Sequence, residues 1–259
     1  MKKARSRKGA PGIIEVARRA EVSPATVSRF FNNPDIVKPR TRKRIETAAN
    51  DLGYIRDRMA SAMHHGLSGT IGLIVPTIDN AIFAELIQAF SEQLLKHDRT
   101  MFVASHSYDL AREVGIVRAL LERRIDGVAL VGFTHERAPL EMLSVRHVPV
   151  LEIWNYREDS PLPCIGADNF EAGHQVTQYL LENGHRDIVL AFPPVEANDR
   201  AADRLAGAQH AIRNFADAGV RSELVETKYD IGETKERIRN LLAAPVELVV
   251  DKTFHRLVV

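Results

Sequence analysis

The chain has 259 residues, a formal net charge of +1 and one cysteine, Cys164. A single cysteine excludes an intrachain disulfide and is typical of a reducing compartment. No apolar run is long enough to span a membrane, and the N-terminus lacks the apolar segment of a signal peptide. We therefore expect a cytoplasmic protein without membrane association.

The near-neutral total hides a strong charge asymmetry. Residues 1–60 contain 15 Lys and Arg against 6 Asp and Glu, a net charge of +9, and the remainder carries −8. A basic module attached to an acidic one indicates a polyanion-binding domain carried by another domain. The run Lys2–Lys8 is either an arm that adds phosphate contacts or a plain solvated tail.

The first predicted elements are two short helices joined by a tight turn. Apolar residues recur at helical spacing between Ile13 and Ala20, and Glu21-Val22 forms the turn. Ser23 is a good N-cap for the second helix, and Pro24 stands where a helix tolerates proline, at its first position.

The second helix has the character of one that enters a DNA major groove. Val27 and Phe30 are predicted to face the core, which leaves small and hydroxyl residues and one arginine facing outward. The alternative is an ordinary helical hairpin with a solvated second helix. The candidate DNA contacts here are Ser23, Pro24, Ala25, Thr26, Ser28, Arg29 and Asn32.

Residues 38–54 predict a third helix that begins near Pro39 and ends at Gly53. Its apolar face consists of Ile45, Ala48, Ala49 and Leu52. Its basic start suits contact with phosphates, with Thr41 as a hydroxyl donor beside Arg40, Arg42, Lys43 and Arg44. A merely solvated basic helix start is the alternative.

From Thr70 onward, strands alternate with helices. The predicted strands are Ile71–Pro76, Met101–Ala104, Gly127–Val131, Val148–Leu151, one around Ile165, Ile188–Leu190 and one near Leu224-Val225. The predicted helices lie near 81–96, 109–124, 170–183, 200–218 and 233–242. Near-continuous apolar strands in this order predict doubly wound parallel sheets in two lobes, with a ligand cleft at the strands' carboxyl ends.

The candidate ligand-binding residues lie in the loops that follow the predicted strands or open the helices. They are Asp79, Asn80 and Phe83 after the first strand, Trp154 after the fourth, Asp168 before a helix, and Arg200 and Arg204 at the start of another. Aromatic faces with fixed polar groups suit a polyhydroxylated ligand, and an arginine suits a carboxylate, as in a sugar acid such as gluconate. The alternative for each is a surface or packing role, and Trp154 is equally compatible with a core position.

Three motifs carry a family resemblance. They are V-A-x-x-A-x-V-S-x-x-T-V-S-R-x-x-N from Val16 to Asn32, T-R-x-x-I from Thr41 to Ile45, and L-G-Y-I from Leu52 to Ile55. With them the chain resembles the LacI/GalR family of bacterial transcription regulators. The resemblance implies an all-α helix-turn-helix headpiece (1–56), a hinge helix or linker (57–68) and an α/β two-lobed core like periplasmic sugar-binding proteins (69–259), with lobes at about 69–160 and 161–259.

The resemblance also implies function. Such a protein is a repressor that binds a pseudo-palindromic double-stranded DNA operator as a homodimer, responds to a small sugar or sugar-acid effector, and is associated with the nucleoid. Tyr54, Arg58 and Ala60 would add DNA contacts, and Met63 would wedge into the minor groove. The positions of Arg204 and Trp154 commonly contact effector in this family.

The C-terminal segment departs from the family pattern. After Pro245 the sequence reads VELVVDKTFHRLVV, without the expected Asn-Asp pair and following helix. We expect an incomplete second lobe and a destabilised core, although Val246–Val259 could still pair as an improvised strand. One alternative function is therefore a remnant with a folded headpiece and no effector response.

Two other function classes fit less well. A small-molecule-binding protein without DNA function leaves the +9 headpiece unexplained. An enzyme is not indicated, because no G-x-G-x-x-G follows the first strand and no paired catalytic carboxylates or nucleophile–base motif stands out. We expect no catalytic residue, no cofactor and no metal, since the adjacent His64 and His65 would point different ways on a helix.

Overall fold

The computed structural model describes residues 11–56, 67–216, 219–229, 231–242 and 247–250. The hinge predictions at Arg58, Ala60 and Met63 lie outside these residues. The chain divides into two compact units, Met1–Gly66 and Leu67–Val259, which are treated separately below. Within the described ranges, no helix has the length and apolar character needed to cross a membrane.

The first unit contains the three predicted helices: α1 (Ile13–Arg19), α2 (Pro24–Asn32) and α3 (Pro39–Leu52), with a 3-10 turn at Pro34–Ile36. Ser23 caps α2, because its Oγ accepts a hydrogen bond from the Thr26 amide at 3.2 Å. Gly53 ends α3 in the left-handed conformation at φ 61°. Apolar side chains from all three helices meet in one core, in which Val16, Val27 and Ile45 are fully buried.

The second unit begins with a five-stranded parallel sheet of order β2-β1-β3-β4-β5. Its strands are β1 (Thr70–Val75), β2 (Thr100–Ser105), β3 (Gly127–Val131), β4 (Val150–Asn155) and β5 (Cys164–Ala167). The helices between them are α4 (Ala81–Lys96), α5 (Glu113–Glu122, after a 3-10 turn at Leu110–Arg112) and α6 (Arg137–Val145). The central strands β1 and β3 carry the core, as their apolar runs predict.

A second parallel sheet of order β7-β6-β8 follows. It contains β6 (Asp187–Phe192), β7 (Arg221–Glu226) and β8 (Glu247–Val250), with helices α7 (Asn169–Glu182), α8 (Asp199–Asn214) and α9 (Ile231–Leu242). The segment after Pro245 therefore does supply a strand, and β8 pairs with β6. The two parallel sheets confirm the predicted two-lobed α/β core.

Three details of the sequence prediction are wrong. Helix α6 was not predicted at all. Strand β4 runs on to Asn155, so Trp154 lies within the strand and not after it; the polar residues Glu152 and Asn155 concealed this extension, although both are buried. Strand β5 pairs with β4 in the first sheet and does not open the second lobe.

Helices α7 and α8 approach each other closely through two glycines. A Cβ at Gly173 would lie 2.0 Å from the carbonyl oxygen of Arg204, and one at Gly207 would lie 1.9 Å from that of Phe170. Any side chain at either position would push the helices apart. The glycines thus set how the start of α7 faces the start of α8, where the candidate ligand residues lie.

Candidate functional site

The outward face of α2 forms the first candidate site. Residues at i, i+3, i+4 and i+7 share one face of a helix, and on α2 this set is Ala25, Ser28, Arg29 and Asn32. All of them are exposed except the half-buried Ser28, whereas Val27 and Phe30 on the opposite side are buried. A small-residue stripe with one arginine and one amide is shaped to approach base edges.

Several of the predicted contact residues also hold the headpiece together. The hydroxyls of Ser23 and Thr26 lie 2.9 Å apart at the start of α2, which Pro24 opens. The Asn32 amide donates to Ser28 Oγ at 3.3 Å, and its oxygen accepts from the guanidinium of Arg56. Asn32 is therefore held in place before any ligand binds.

The basic residues near α3 divide into two groups. Arg42 donates to the carbonyl of Val37 at 2.6 Å and to Asp35 at 3.0 Å, and Arg44 pairs with Glu21 at 2.9 Å. These two arginines fasten loops to α3. In contrast, Lys38, Arg40 and Lys43 are exposed and form no ion pair with any residue that the structure describes.

Two further headpiece predictions fall on half-buried residues. Thr41 lies in the first turn of α3. The Tyr54 ring packs 5.6 Å from the ring of Phe31, so that its ring takes part in the headpiece core. Among the residues that the sequence pointed to for phosphate contact, Arg40 and Lys43 are the most exposed cations, whereas Arg42 and Arg44 are held in ion pairs.

The second candidate site is the set of loops at the carboxyl ends of β1 to β4. Asp79 is exposed after β1. Asn80 caps α4, because its Oδ1 accepts from the Ile82 amide at 3.1 Å. Phe83 is buried, and its ring lies 5.7 Å from that of the half-buried Trp154. Phe83 is thus a core residue that supports Trp154.

Trp154 occupies an unusual backbone position. Its φ is +78°, in the left-handed region that bulky residues rarely adopt. Opposite it, a Cβ at Gly166 would lie 2.4 Å from the Asn155 nitrogen, so β5 needs glycine there. Such a backbone conformation costs about 1–3 kcal/mol. The next residue, Asn155, contacts the first residues of α7 and α8.

The second lobe contributes the starts of α7 and α8. Asp168 caps α7 by accepting from the Glu171 amide at 2.9 Å, and Asn169 beside it is buried. The guanidinium of Arg204 donates to Asn169 Oδ1. Arg204 is half-buried, so it keeps a surface that faces solvent.

Arg200 takes a different part from the one predicted. It is only 5% exposed, and its guanidinium donates to the carbonyl of Val131 at 3.0 Å and to Asp199 at 2.8 Å. Asp199 in turn accepts from the amide of Phe133 at 2.9 Å. Arg200 therefore joins the second lobe to the end of β3, and its guanidinium is buried and not exposed to a ligand.

An aromatic pair that was not predicted from the sequence lies between the lobes. The rings of Tyr108 and Tyr229 stack with their centroids 3.8 Å apart and their planes at 16°. They follow β2 and β7, and the Tyr229 hydroxyl donates to the carbonyl of Pro194 at 3.0 Å. Both tyrosines follow the carboxyl ends of parallel strands, where ligand-binding groups commonly lie, and this position could have identified them from the sequence.

A group of buried ionisable residues lies near the carboxyl ends of β2, β3 and β4. His135 Nδ1 is 2.8 Å from Glu113 Oε1, and both side chains are about 2% exposed. Burial opposes a charge on His135, but the hydrogen bond and negative charge of Glu113 outweigh it and raise the pKa of His135. Burial lowers the pKa of His106 despite the charge of Glu113. Burial raises the pKa of Glu152, against the hydrogen bond from Ser160.

Comparison with known proteins agrees with both units. A model of the bacterial regulatory proteins of the lacI family matches residues 12–57, and a model of the periplasmic binding proteins and sugar binding domain of the LacI family matches residues 68–245. The chain belongs to the LacI family. It is 32% identical over 239 residues to the HTH-type transcriptional regulator GntR of Escherichia coli (strain K12), which covers 90% of this chain and 70% of that protein.

Solved structures share the LacI-family architecture. A LacI-family transcriptional regulator from Silicibacter pomeroyi superposes with a TM-score of 0.78 at 24% identity, over 93% of this chain and 73% of that one. The lac repressor dimer bound to operator and the anti-inducer ONPF gives a TM-score of 0.76 at 21% identity, over 94% and 74%. At these identities the likeness establishes the fold, and membership of the family makes the chain a DNA-binding transcriptional regulator.

Proposed function

We propose that this LacI-family chain is a repressor whose headpiece (1–56) binds a pseudo-palindromic operator as a homodimer. The hinge (57–68) and the core (69–259) would couple that binding to a small sugar or sugar acid. The protein would act in the bacterial cytoplasm, at the nucleoid, where operator DNA lies. The observation that carries the proposal is the exposed polar face of α2 on a headpiece with its own core.

The charge distribution supports a nucleic-acid partner. Arg29 stands in the middle of the α2 face, where a guanidinium can donate two hydrogen bonds to guanine. Lys38, Arg40 and Lys43 are exposed cations near the start of α3, which suits phosphate contact and positioning on the duplex. Arg29, Ser28 and Asn32 would then contact base edges. Lys38, Arg40 and Lys43 would contact phosphates and fix the position of the headpiece along the duplex.

The cleft supports a polyhydroxylated, anionic ligand. Arg204 offers a guanidinium fixed at one side by Asn169, and Trp154 offers an aromatic surface backed by Phe83. An arginine pairs with a carboxylate in a fixed two-bond geometry, and hydroxyl groups need the surrounding amides and carboxylates. A sugar acid such as gluconate combines both features. Asp79 and Asn80 would complete the site from the β1 loop.

The test is selection of bound duplexes from a random pool by the purified chain at near-physiological salt. A two-fold symmetric consensus is the expected result. A single half-site would mean that the headpiece reads DNA without dimerising, and a pool no different from background would refute the proposal.

A single substitution then assigns the reading face. Arg29→Ala should weaken binding to the selected sequence by about 1–3 kcal/mol and relax its preference at one base pair. The matched control is Arg18→Ala, an exposed arginine on α1. Equal losses on selected and random duplexes would give Arg29 a phosphate role and remove it from base reading.

A further inference from the structure

A single side chain at the end of β4 ties the first lobe to two helices of the second lobe, α7 and α8. Asn155 is only 1% exposed. Its Nδ2 donates to Asp199 Oδ2 at 2.9 Å and to Asp203 Oδ2 at 2.8 Å. Its Oδ1 accepts from Asn169 Nδ2 at 2.8 Å and from the Tyr156 amide at 3.0 Å. Both hydrogens and both lone pairs of the amide are therefore used.

Asn155 and its three side-chain partners belong to different lobes. Strand β4 lies in the first sheet, whereas Asn169 opens α7 and Asp199 and Asp203 lie on α8. Helices α7 and α8 pack on the second sheet through a shared apolar core that includes Leu181 and Ala208. Asn155 thus joins the end of one sheet to the helix starts of the other.

Asparagine is the residue type that these hydrogen bonds require. Burial of a polar amide costs free energy unless all its hydrogen bonds are made. Only an amide can donate to two carboxylates and at the same time accept from a third group. An aspartate of the same size could not donate, and an apolar residue would leave the buried Asp199 and the half-buried Asp203 short of a donor.

The hydrogen bonds continue from Asn155 to the candidate ligand residue Arg204. Asn169, which donates to Asn155, accepts from the Arg204 guanidinium. Asp203, the other partner of Asn155, is also held by Arg157 at 3.0 Å. The position of Arg204 is therefore set through Asn169 by the end of β4.

We propose that Asn155 is the positioning residue of the cleft: it holds the two lobes together and orients Arg204 through Asn169. The lobe contact stands on the structure alone, whereas the role toward a ligand rests on the function proposed above. Loss of the amide donors would weaken the attachment of α8 to the end of β4, leaving the contacts of Arg200 with Val131 and of Arg157 with Asp203, and it would loosen the hydrogen bond from the Phe133 amide to Asp199.

The deciding variant is Asn155→Asp, which keeps the size and replaces the donor by a carboxylate facing Asp199 and Asp203. The charged groups around position 155 are Asp199, Arg200, Asp203 and Arg204 on α8, Arg157 after β4 and Glu152 on β4 itself. The variant puts a third carboxylate beside Asp199 and Asp203, and the repulsion among the three should weaken the contact between the lobes at neutral pH. Acidification, which neutralises carboxylates, should restore the contact.

The readout is hydrogen exchange of the full chain, expressed as protection factors so that the intrinsic effect of pH is removed. At neutral pH, Asn155→Asp should lower the protection of the Phe133 amide by about tenfold or more, as expected for loss of a buried hydrogen bond. Protection should return toward the wild-type value on acidification. The matched control is Asn183→Asp, an exposed amide at the end of α7 that donates only to the Tyr179 carbonyl.

Two results would overturn the proposal. One is wild-type protection of Phe133 in Asn155→Asp at neutral pH. The other is an equal loss of protection in β1 and β6, which would make Asn155 an ordinary folding residue. Calorimetric titration with D-gluconate then tests the ligand role: weaker binding that acid restores supports it, and unchanged binding refutes it. If the wild type does not bind gluconate, the proposed ligand class fails while the exchange result still decides the lobe contact.

Discussion

The buried pair of His135 and Glu113 allows a quantitative prediction. The ring Nδ1 of His135 lies 2.8 Å from Glu113 Oε1, and its Nε2 lies 3.0 Å from the carbonyl oxygen of Gly132. Both partners are acceptors, so both ring nitrogens can donate only when the ring carries two protons. The raised pKa of His135 favours this doubly protonated ring, which fastens the loop after β3 to the start of α5.

His135→Gln should be strongly destabilising. The substitution leaves the carboxylate of Glu113, which is about 2% exposed, without its counter-charge. Breaking a buried ion pair in this way costs about 3–5 kcal/mol. The double variant with Glu113→Gln should recover most of this loss, because no buried charge is then left alone. His97→Gln, at an exposed histidine, is the control and should change stability by less than about 0.5 kcal/mol.

The pH dependence gives the sharper test. Because the pKa of His135 is raised in the folded protein, its contribution is fully present below the unfolded value of about 6.5 and is lost as pH rises through the folded value. The stability advantage of wild type over His135→Gln should therefore shrink by up to about 1.4 kcal/mol per pH unit above pH 6.5. The shifted groups His106 and Glu152 occur in both proteins, so the difference largely removes their effects.

The assay is urea denaturation of both proteins at a series of pH values from about 6 to 9. A difference in stability that stays constant with pH would show that His135 is not protonated in the fold. A difference that grows with pH would reverse the sign of the argument and refute the pairing with Glu113.

Three further predictions concern other parts of the chain. Ile45→Ala removes a fully buried side chain from the headpiece core and should cost about 2–5 kcal/mol in headpiece unfolding, measured by calorimetry. Gly207→Ala should lower the melting temperature of the core, because its Cβ would lie 1.9 Å from a carbonyl oxygen, whereas Gly115→Ala meets nothing within 4 Å and should be neutral or mildly stabilising. Arg40→Ala should reduce the salt dependence of DNA binding, a log–log slope, by about 1 for every duplex if Arg40 contacts a phosphate.

Local signals explain why the headpiece could be predicted almost completely. The cap at Ser23, the proline at the first position of α2 and the left-handed Gly53 each act within one or two turns of helix. The apolar spacing of α3 needed only Ile45 and its neighbours at i+3 and i+4. None of these depends on what another part of the chain does, so one sequence is enough to recognise them.

The errors arise where a residue's role is decided by a distant partner. From its charge and its place before a helix, Arg200 was predicted to bind ligand. In the fold it instead donates to the carbonyl of Val131, which is 69 residues away. The role of Asn155 could not be predicted from the sequence, because its partner Asp199 is 44 residues away.

The two units also differ in how their functions depend on packing. The α2 face is exposed on a headpiece with its own apolar core, so changes at Arg29 should alter DNA recognition without altering the core domain. The position of Arg204 instead depends on a hydrogen-bonded path through Asn169 and Asn155 and on the close approach of two helices at Gly173. Substitutions along that path should alter the ligand response of the full chain, while its headpiece keeps the same half-site preference. The same DNA selection carried out with Arg29→Ala and with Asn155→Asp separates these effects: the first should change the half-site sequence, and the second should leave it unchanged.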